Sequence, residues 1–164
     1  MKKNLTFIIL SVLIIGSLFY LGKLNDEKEL VDLSESDSTL AANTCVVHQD
    51  LGMHIHPVIK INILGAYQDI PKNIGIDSTC MKAIHTHDEP GVIHIEYPVV
   101  KDFYLKDFFS VWGVDFNKDQ ILDYKVDDNT EIIITVNGVE VDTFENTLLK
   151  DKDIIEIIFR NKEM

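Results

Sequence analysis

From His54 to Gly65 the chain reads HIHPVIKINILG, in which Ile55, Pro57, Ile59, Ile61 and Ile63 alternate with His54, His56, Val58, Lys60 and Asn62. A period of two sends successive side chains to opposite faces of a strand and leaves no apolar stripe for a helix, so the segment reads as one half-buried strand. The pattern returns in VIHIEY, with Ile93, Ile95 and Tyr97 on one face and Val92, His94 and Glu96 on the other. Gly65 opens a turn toward AYQDIPKNIGI, the expected partner strand. EIIITVNGVEV is an apolar strand, an Asn137-Gly138 turn and a second strand, and DIIEIIF is a last strand. Leu105, Phe108, Phe109 and Trp112 have the i, i+3, i+4, i+7 spacing of an amphipathic helix with Gly113 at its end, and their aromatic rings read as core.

Strands in sequence, one helix, a hairpin and a closing strand predict an α+β domain with a mixed or antiparallel sheet packed on that helix. The stretch VNGVEV…LLKDKDIIEII, within residues 132–159, resembles the ubiquitin-like β-grasp sulfur carriers of thiamine and molybdopterin synthesis. The resemblance implies a β-grasp-like scaffold. The carriers end in Gly-Gly, the site of their thiocarboxylate, where this sequence has Arg160, Asn161, Lys162, Glu163 and Met164, so sulfur-carrier activity is not implied.

Upstream, the 19 residues from Asn4 to Gly22 carry no charge, enough at about 1.5 Å per residue to cross a hydrocarbon core of about 30 Å. No small-x-small cleavage site follows at Tyr20 to Leu24, which favours an uncleaved single-pass anchor over residues 1–24 rather than a signal peptide. Lys2 and Lys3 precede the run, so the expected orientation puts the N-terminus inside and the rest of the chain outside the cell membrane. Residues 25–44, acidic and Ser-rich, read as a flexible tether, and residues 45–164 as one extracytoplasmic domain. The net charge of −12 falls on the tether and the domain, since the first 24 residues carry three Lys and no acid. That acidity argues against nucleic acid as a partner and leaves the membrane, through the anchor, as the expected one.

All six histidines lie between positions 48 and 94. His54/His56 and His85/His87 are His-x-His pairs, and His94 follows. Residues i and i+2 on a strand share a face about 6.6 Å apart, so two imidazoles can approach one ion. Neutral imidazole suits zinc, copper, iron or nickel, and an extracytoplasmic setting favours copper or zinc. The expected ligand pool is therefore His54, His56, His85, His87 and His94, with His48 peripheral. The spacing also allows ligands from two chains of a homo-oligomer. Asp88, Glu89 and Glu96 are candidates to orient the imidazoles, or to serve as a fourth ligand or general base. Two other functions fit the same residues: a surface that switches charge between about pH 5 and 7 and docks a protein without metal, and an enzyme using a metal-bound water.

Cys45 and Cys80 form a disulfide, remain thiols, or, in the case of Cys80 with neighbouring Met81, add soft ligands to the histidines. The pattern His85, Thr86, His87, Asp88, then Gly91, Ile93, His94, Glu96, Pro98 and Trp112-Gly113 resembles an uncharacterised domain of exported or membrane-anchored proteins of archaea and actinobacteria, over about residues 54–113. It implies a defined domain and no particular reaction. After His56 stand Pro57, Val58, Ile59, Lys60 and Ile61, so the Glu of a cupin is absent. Asp115, Asn117, Asp119 and Asp123 have calcium-loop spacing, yet Gln120 replaces the turn glycine and Val126 the closing Glu, so an ordinary acidic loop is expected. No phosphate loop, nucleophile elbow or His-Glu-x-x-His occurs.

Overall fold

A computed structural model describes residues 38–47 and 51–162. The expected anchor, residues 25–37 of the expected tether and His48 lie outside the described residues. Among the described residues no helix is long and apolar enough to cross a membrane.

The architecture is α+β. The larger sheet has five strands: β2 (Val58–Ile63), β3 (Ala66–Gln68), β9 (Thr130–Val136), β10 (Val139–Val141) and β11 (Ile154–Asn161), in the order β10-β9-β11-β2-β3. β2 and β11 are parallel and the other neighbours antiparallel. The period-two pattern sets the register: Ile59, Ile61 and Ile63 lie beside Ile155, Ile157 and Phe159, which in turn face Val136, Ile134 and Ile132. All of these except Val136 are buried, and Val136 packs against the core from its edge. The other face carries Lys60, Asn62, Glu156 and Thr135 among half-buried or exposed Val58, Ile133, Ile154 and Ile158, so it is mixed where the first face is apolar. The hairpin between β9 and β10 turns at Asn137 and Gly138, both at positive φ, as the Asn-Gly dipeptide requires.

The second sheet is antiparallel, β1 (Met53–Ile55), β5 (Ile93–Tyr97) and β4 (Ile84–Thr86), with β5 central. A three-stranded ribbon follows: β6 (Phe116–Asn117), β7 (Gln120–Ile121) and β8 (Tyr124–Lys125). This ribbon is what the acidic segment 115–126 forms. Helix α1 (Leu105–Trp112) ends at Gly113 in the left-handed region, and Leu105, Phe108 and Phe109 are buried in the common core.

The expected continuous strand from His54 to Gly65 is two strands in two sheets. Pro57 has no N–H to give a ladder, and the chain leaves β1 after Ile55 and enters β2 at Val58. The two sheets are tied where Pro57 O accepts from Ile93 N–H and Gly91 O accepts from Ile59 N–H. Gly91 sits at φ +74, where a Cβ would lie 2.5 Å from Ile59 O, so only glycine lets the strands approach.

The expected domain start at Cys45 is also corrected, because packed structure begins no later than Ser38. Residues 38–42 are helical, and Ala41 and Ala42 are buried. The Ser38 and Thr39 hydroxyls donate to Oδ1 of buried Asp107 (3.1 and 2.6 Å), whose Oδ2 accepts the Tyr104 N–H at the start of α1. Averaged over residues 25–44 the composition is acidic, but STLAANT (38–44) holds no charge at all.

Cys45 and Cys80 form a disulfide with Cα atoms 5.3 Å apart, which removes Cys80 as a metal ligand. It closes a loop over a sequence separation of 35 residues, for which the chain-entropy relation gives roughly 4 kcal/mol. Replacing both cysteines by serine is expected to lower unfolding free energy by about 2–4 kcal/mol. Urea unfolding of the wild-type and double-serine chains measures it; equal midpoints would show that the bond is dispensable.

Candidate metal centre

Antiparallel pairing on β5 assembles the site. His94 and Glu96, two residues apart on the central strand, face the same way. On one side His85 pairs with His94, and on the other His54 pairs with Glu96. His56, one step past the last β1 pair, brings its ring to 4.6 Å from that of His94. His87, just past β4, brings its ring to 4.7 Å from the other side. The opposite face of this sheet holds Ile55, Ile84, Ile93 and Ile95, packed into the core or against it. Five imidazoles and one carboxylate thus share a single face, held there because the isoleucines claim the other.

The histidines form two groups of three that could hold a metal ion: His54, His56 and His94, and His85, His87 and His94. Within each group the three ligand atoms lie within 4.8 Å of one another. Tetrahedral coordination at about 2.0–2.1 Å implies nitrogens about 3.3 Å apart, within reach of small side-chain rotations. His94 belongs to both groups, and its ring is 5.3 Å from that of His85 and 6.2 Å from that of His54.

Compared with protein-family models, curated proteins and solved structures, the chain has no match. What the site can do is therefore argued from its own atoms.

The hydrogen bonds select the ligand nitrogen of two histidines. His85 Nδ1 lies 2.9 Å from the Lys82 carbonyl, and a carbonyl can only accept, so Nδ1 carries the proton and Nε2 the lone pair. His54 Nε2 lies 3.2 Å from Glu96 Oε1. An ionised carboxylate likewise only accepts, which makes Nδ1 the lone-pair nitrogen of neutral His54. Such outer contacts fix the tautomer and ring orientation of metal-binding imidazoles. Burial is uneven: His85 is wholly buried and Glu96 nearly so, whereas the His54 and His56 side chains are 47% and 38% exposed.

Of the three acids expected to orient imidazoles, Glu96 lies against one, His54. Asp88 pairs with Lys72 at 3.2 Å on the exposed surface. Among the described residues, the aspartates of the calcium-like loop join no converging donor set. Sequence reasoning missed Asp151, whose Oδ1 accepts the His56 backbone N–H at 2.9 Å and sits 3.9 Å from His56 Nδ1. No local signal could find it, because 95 residues separate the pair. It missed the Lys82 carbonyl for a related reason: backbone acceptors leave no mark in composition.

The His56 backbone N–H, helped by the Lys152 cation, holds the Asp151 carboxyl below the usual carboxylate range. A depressed folded-state value means the unfolded chain binds the proton more readily. The contribution is therefore present above the unfolded value of about 3.9 and is lost as pH falls through the folded one. Between those limits the stability of Asp151→Asn is expected to depend less steeply on pH than that of the wild type. Urea midpoints from pH 5 to about pH 2 check it, and identical slopes would show the contact does not form in solution.

Proposed function

We propose that this chain is a membrane-anchored, extracytoplasmic copper- or zinc-binding protein whose ligands are drawn from His54, His56, His85, His87 and His94. The observation that carries the reading is the convergence of two histidine triads on one face of the β1-β5-β4 sheet, each with ligand atoms within 4.8 Å. Oriented neutral tautomers at His54 and His85 support it, since a ring held with its lone pair in a defined direction is what coordination needs. The all-nitrogen donor set suits borderline metals over calcium or magnesium, which take oxygen. The Cys45–Cys80 disulfide supports an oxidising compartment, where copper and zinc are the expected ions. A mixed sheet in which the last strand inserts between two hairpins, with a helix in the connection, supports a β-grasp-like scaffold.

Binding without catalysis is favoured over an enzyme using metal-bound water. Three nitrogens would leave a fourth position open, but the buried carboxylate best placed to act as base, Glu96, is engaged with His54.

Full-length protein with its disulfide intact is expected to take up one zinc or copper ion per chain, measured by calorimetric titration and elemental analysis. His94→Ala, which removes the ligand common to both triads, is expected to abolish stoichiometric uptake while leaving the far-ultraviolet dichroism unchanged. Absence of stoichiometric metal in the wild type overturns the reading. Glu96→Gln keeps the shape and removes the charge, and is expected to weaken affinity about 10–100-fold; an unchanged dissociation constant would deny Glu96 its orienting role.

A further inference from the structure

The two triads share a ligand, and that sharing limits what they can do together. A neutral imidazole has one lone-pair nitrogen; its other nitrogen carries a proton. While neutral, His94 can therefore serve an ion in only one triad at a time. Two ions at once would need His94 stripped of both protons, and two divalent charges would face Glu96 as the one carboxylate of the His-bearing face.

The triads also differ in access. His54 and His56 are 47% and 38% exposed, and beside them lie Glu96, 3.2 Å from His54, and Asp151, 3.9 Å from His56. An approaching cation meets exposed nitrogens and the field of two acids. The other triad is anchored on His85, wholly buried and held by the Lys82 carbonyl, with His87 exposed at its edge. Its rings are perpendicular where His87 meets His85 and His94, and parallel where His85 meets His94. His94, on the central strand between them, is within 4.6 Å of His56 and 4.7 Å of His87, ring to ring.

We infer that the five histidines form a two-position relay for one ion. His54 and His56 make an outer receiving position, His85 and His87 an inner holding position, and His94 ligates the ion in both. This rests on the metal-binding reading above and adds a direction to it. In the step between positions, two imidazole nitrogens leave the ion and two others replace them, and His94 is the residue common to both ligand sets. No electron is transferred. Such an arrangement suits a protein that accepts a zinc or cuprous ion from solution or a carrier and surrenders it again at the same exposed end.

The test uses zinc alone and the full-length chain. Stoichiometry is read by calorimetry, and release by stopped-flow transfer to a chromogenic chelator. Wild type is expected to bind one ion. His54→Ala/His56→Ala should still bind one ion, with release slowed about tenfold or more because the outer route is gone. His87→Ala, which leaves buried His85 in place to protect the fold, should bind about tenfold or more weakly and release faster. Two ions per wild-type chain overturn the relay, as does loss of binding in His54→Ala/His56→Ala or a release rate unchanged by that double substitution. Failure of the wild type to bind zinc or copper at all is a different result, since it removes the metal reading itself.

Discussion

The geometry of this domain depends on the crossover at His56-Pro57. Three residues apart, the same stretch of chain belongs to two sheets: Ile55 pairs antiparallel with Ile95, and Val58 pairs parallel with Ile154. A chain can change sheets in so few residues only if the backbone groups it leaves unladdered find other partners. Pro57 has no N–H to satisfy, and its carbonyl accepts from Ile93. The His56 N–H goes to Asp151, the His56 carbonyl accepts from Lys152 N–H, and the Val58 N–H goes to the Asp153 carbonyl. The turn that leads into β11 thus holds the crossover, and the crossover positions His56. Because β11 is the central strand of the larger sheet, the imidazoles of the outer triad inherit their placement from the buried isoleucine rows.

The smaller sheet repeats the same logic face to face. Antiparallel registers place apolar side chains of three strands on one side and imidazoles on the other, and slipping β4 or β1 by one residue would exchange them. Moving Ile84 out of the core would cost on the order of 1.5–3 kcal/mol of lost burial, besides forcing His85 into apolar contact. The histidine cluster is therefore protected against register error by residues that never touch an ion. Its own contribution to folding runs the other way, because an imidazole as buried as His85 needs its N–H satisfied, and the Lys82 carbonyl does this.

How much of this was legible depends on the range of the signal. Period-two isoleucines located β2 and β5, the apolar run DIIEIIF after a polar turn located β11, the Asn137-Gly138 turn located its hairpin, and the helical spacing of Leu105, Phe108, Phe109 and Trp112 located α1 up to its glycine cap. Those are patterns within a dozen residues. The strands β4, β6, β7 and β8 are two or three residues long, too short for alternation to stand out from chance. The split at Pro57 was written in the sequence but masked by the isoleucines on either side. Of the site, the five histidines and Glu96 were legible from spacing on strands, whereas their division into two triads about His94 was not. That division follows from β5 lying between β1 and β4, and strand order is a property of long-range pairing. Asp151 belongs to the same class, since loop closure over 95 residues leaves no local trace, whereas the pair of cysteines had already offered the disulfide as one reading.

The acidity of the chain takes on a sharper meaning once it is placed. Among the described residues most carboxylates are surface groups, whose fields are screened within about 8 Å at physiological ionic strength. Glu96 is different, being almost wholly buried on the face that carries the imidazoles. A buried carboxylate is tolerated only with compensating partners. His54, whose Nε2 lies 3.2 Å from Glu96 Oε1, is one such partner, and under the metal-binding reading a cation held by the imidazoles would be another.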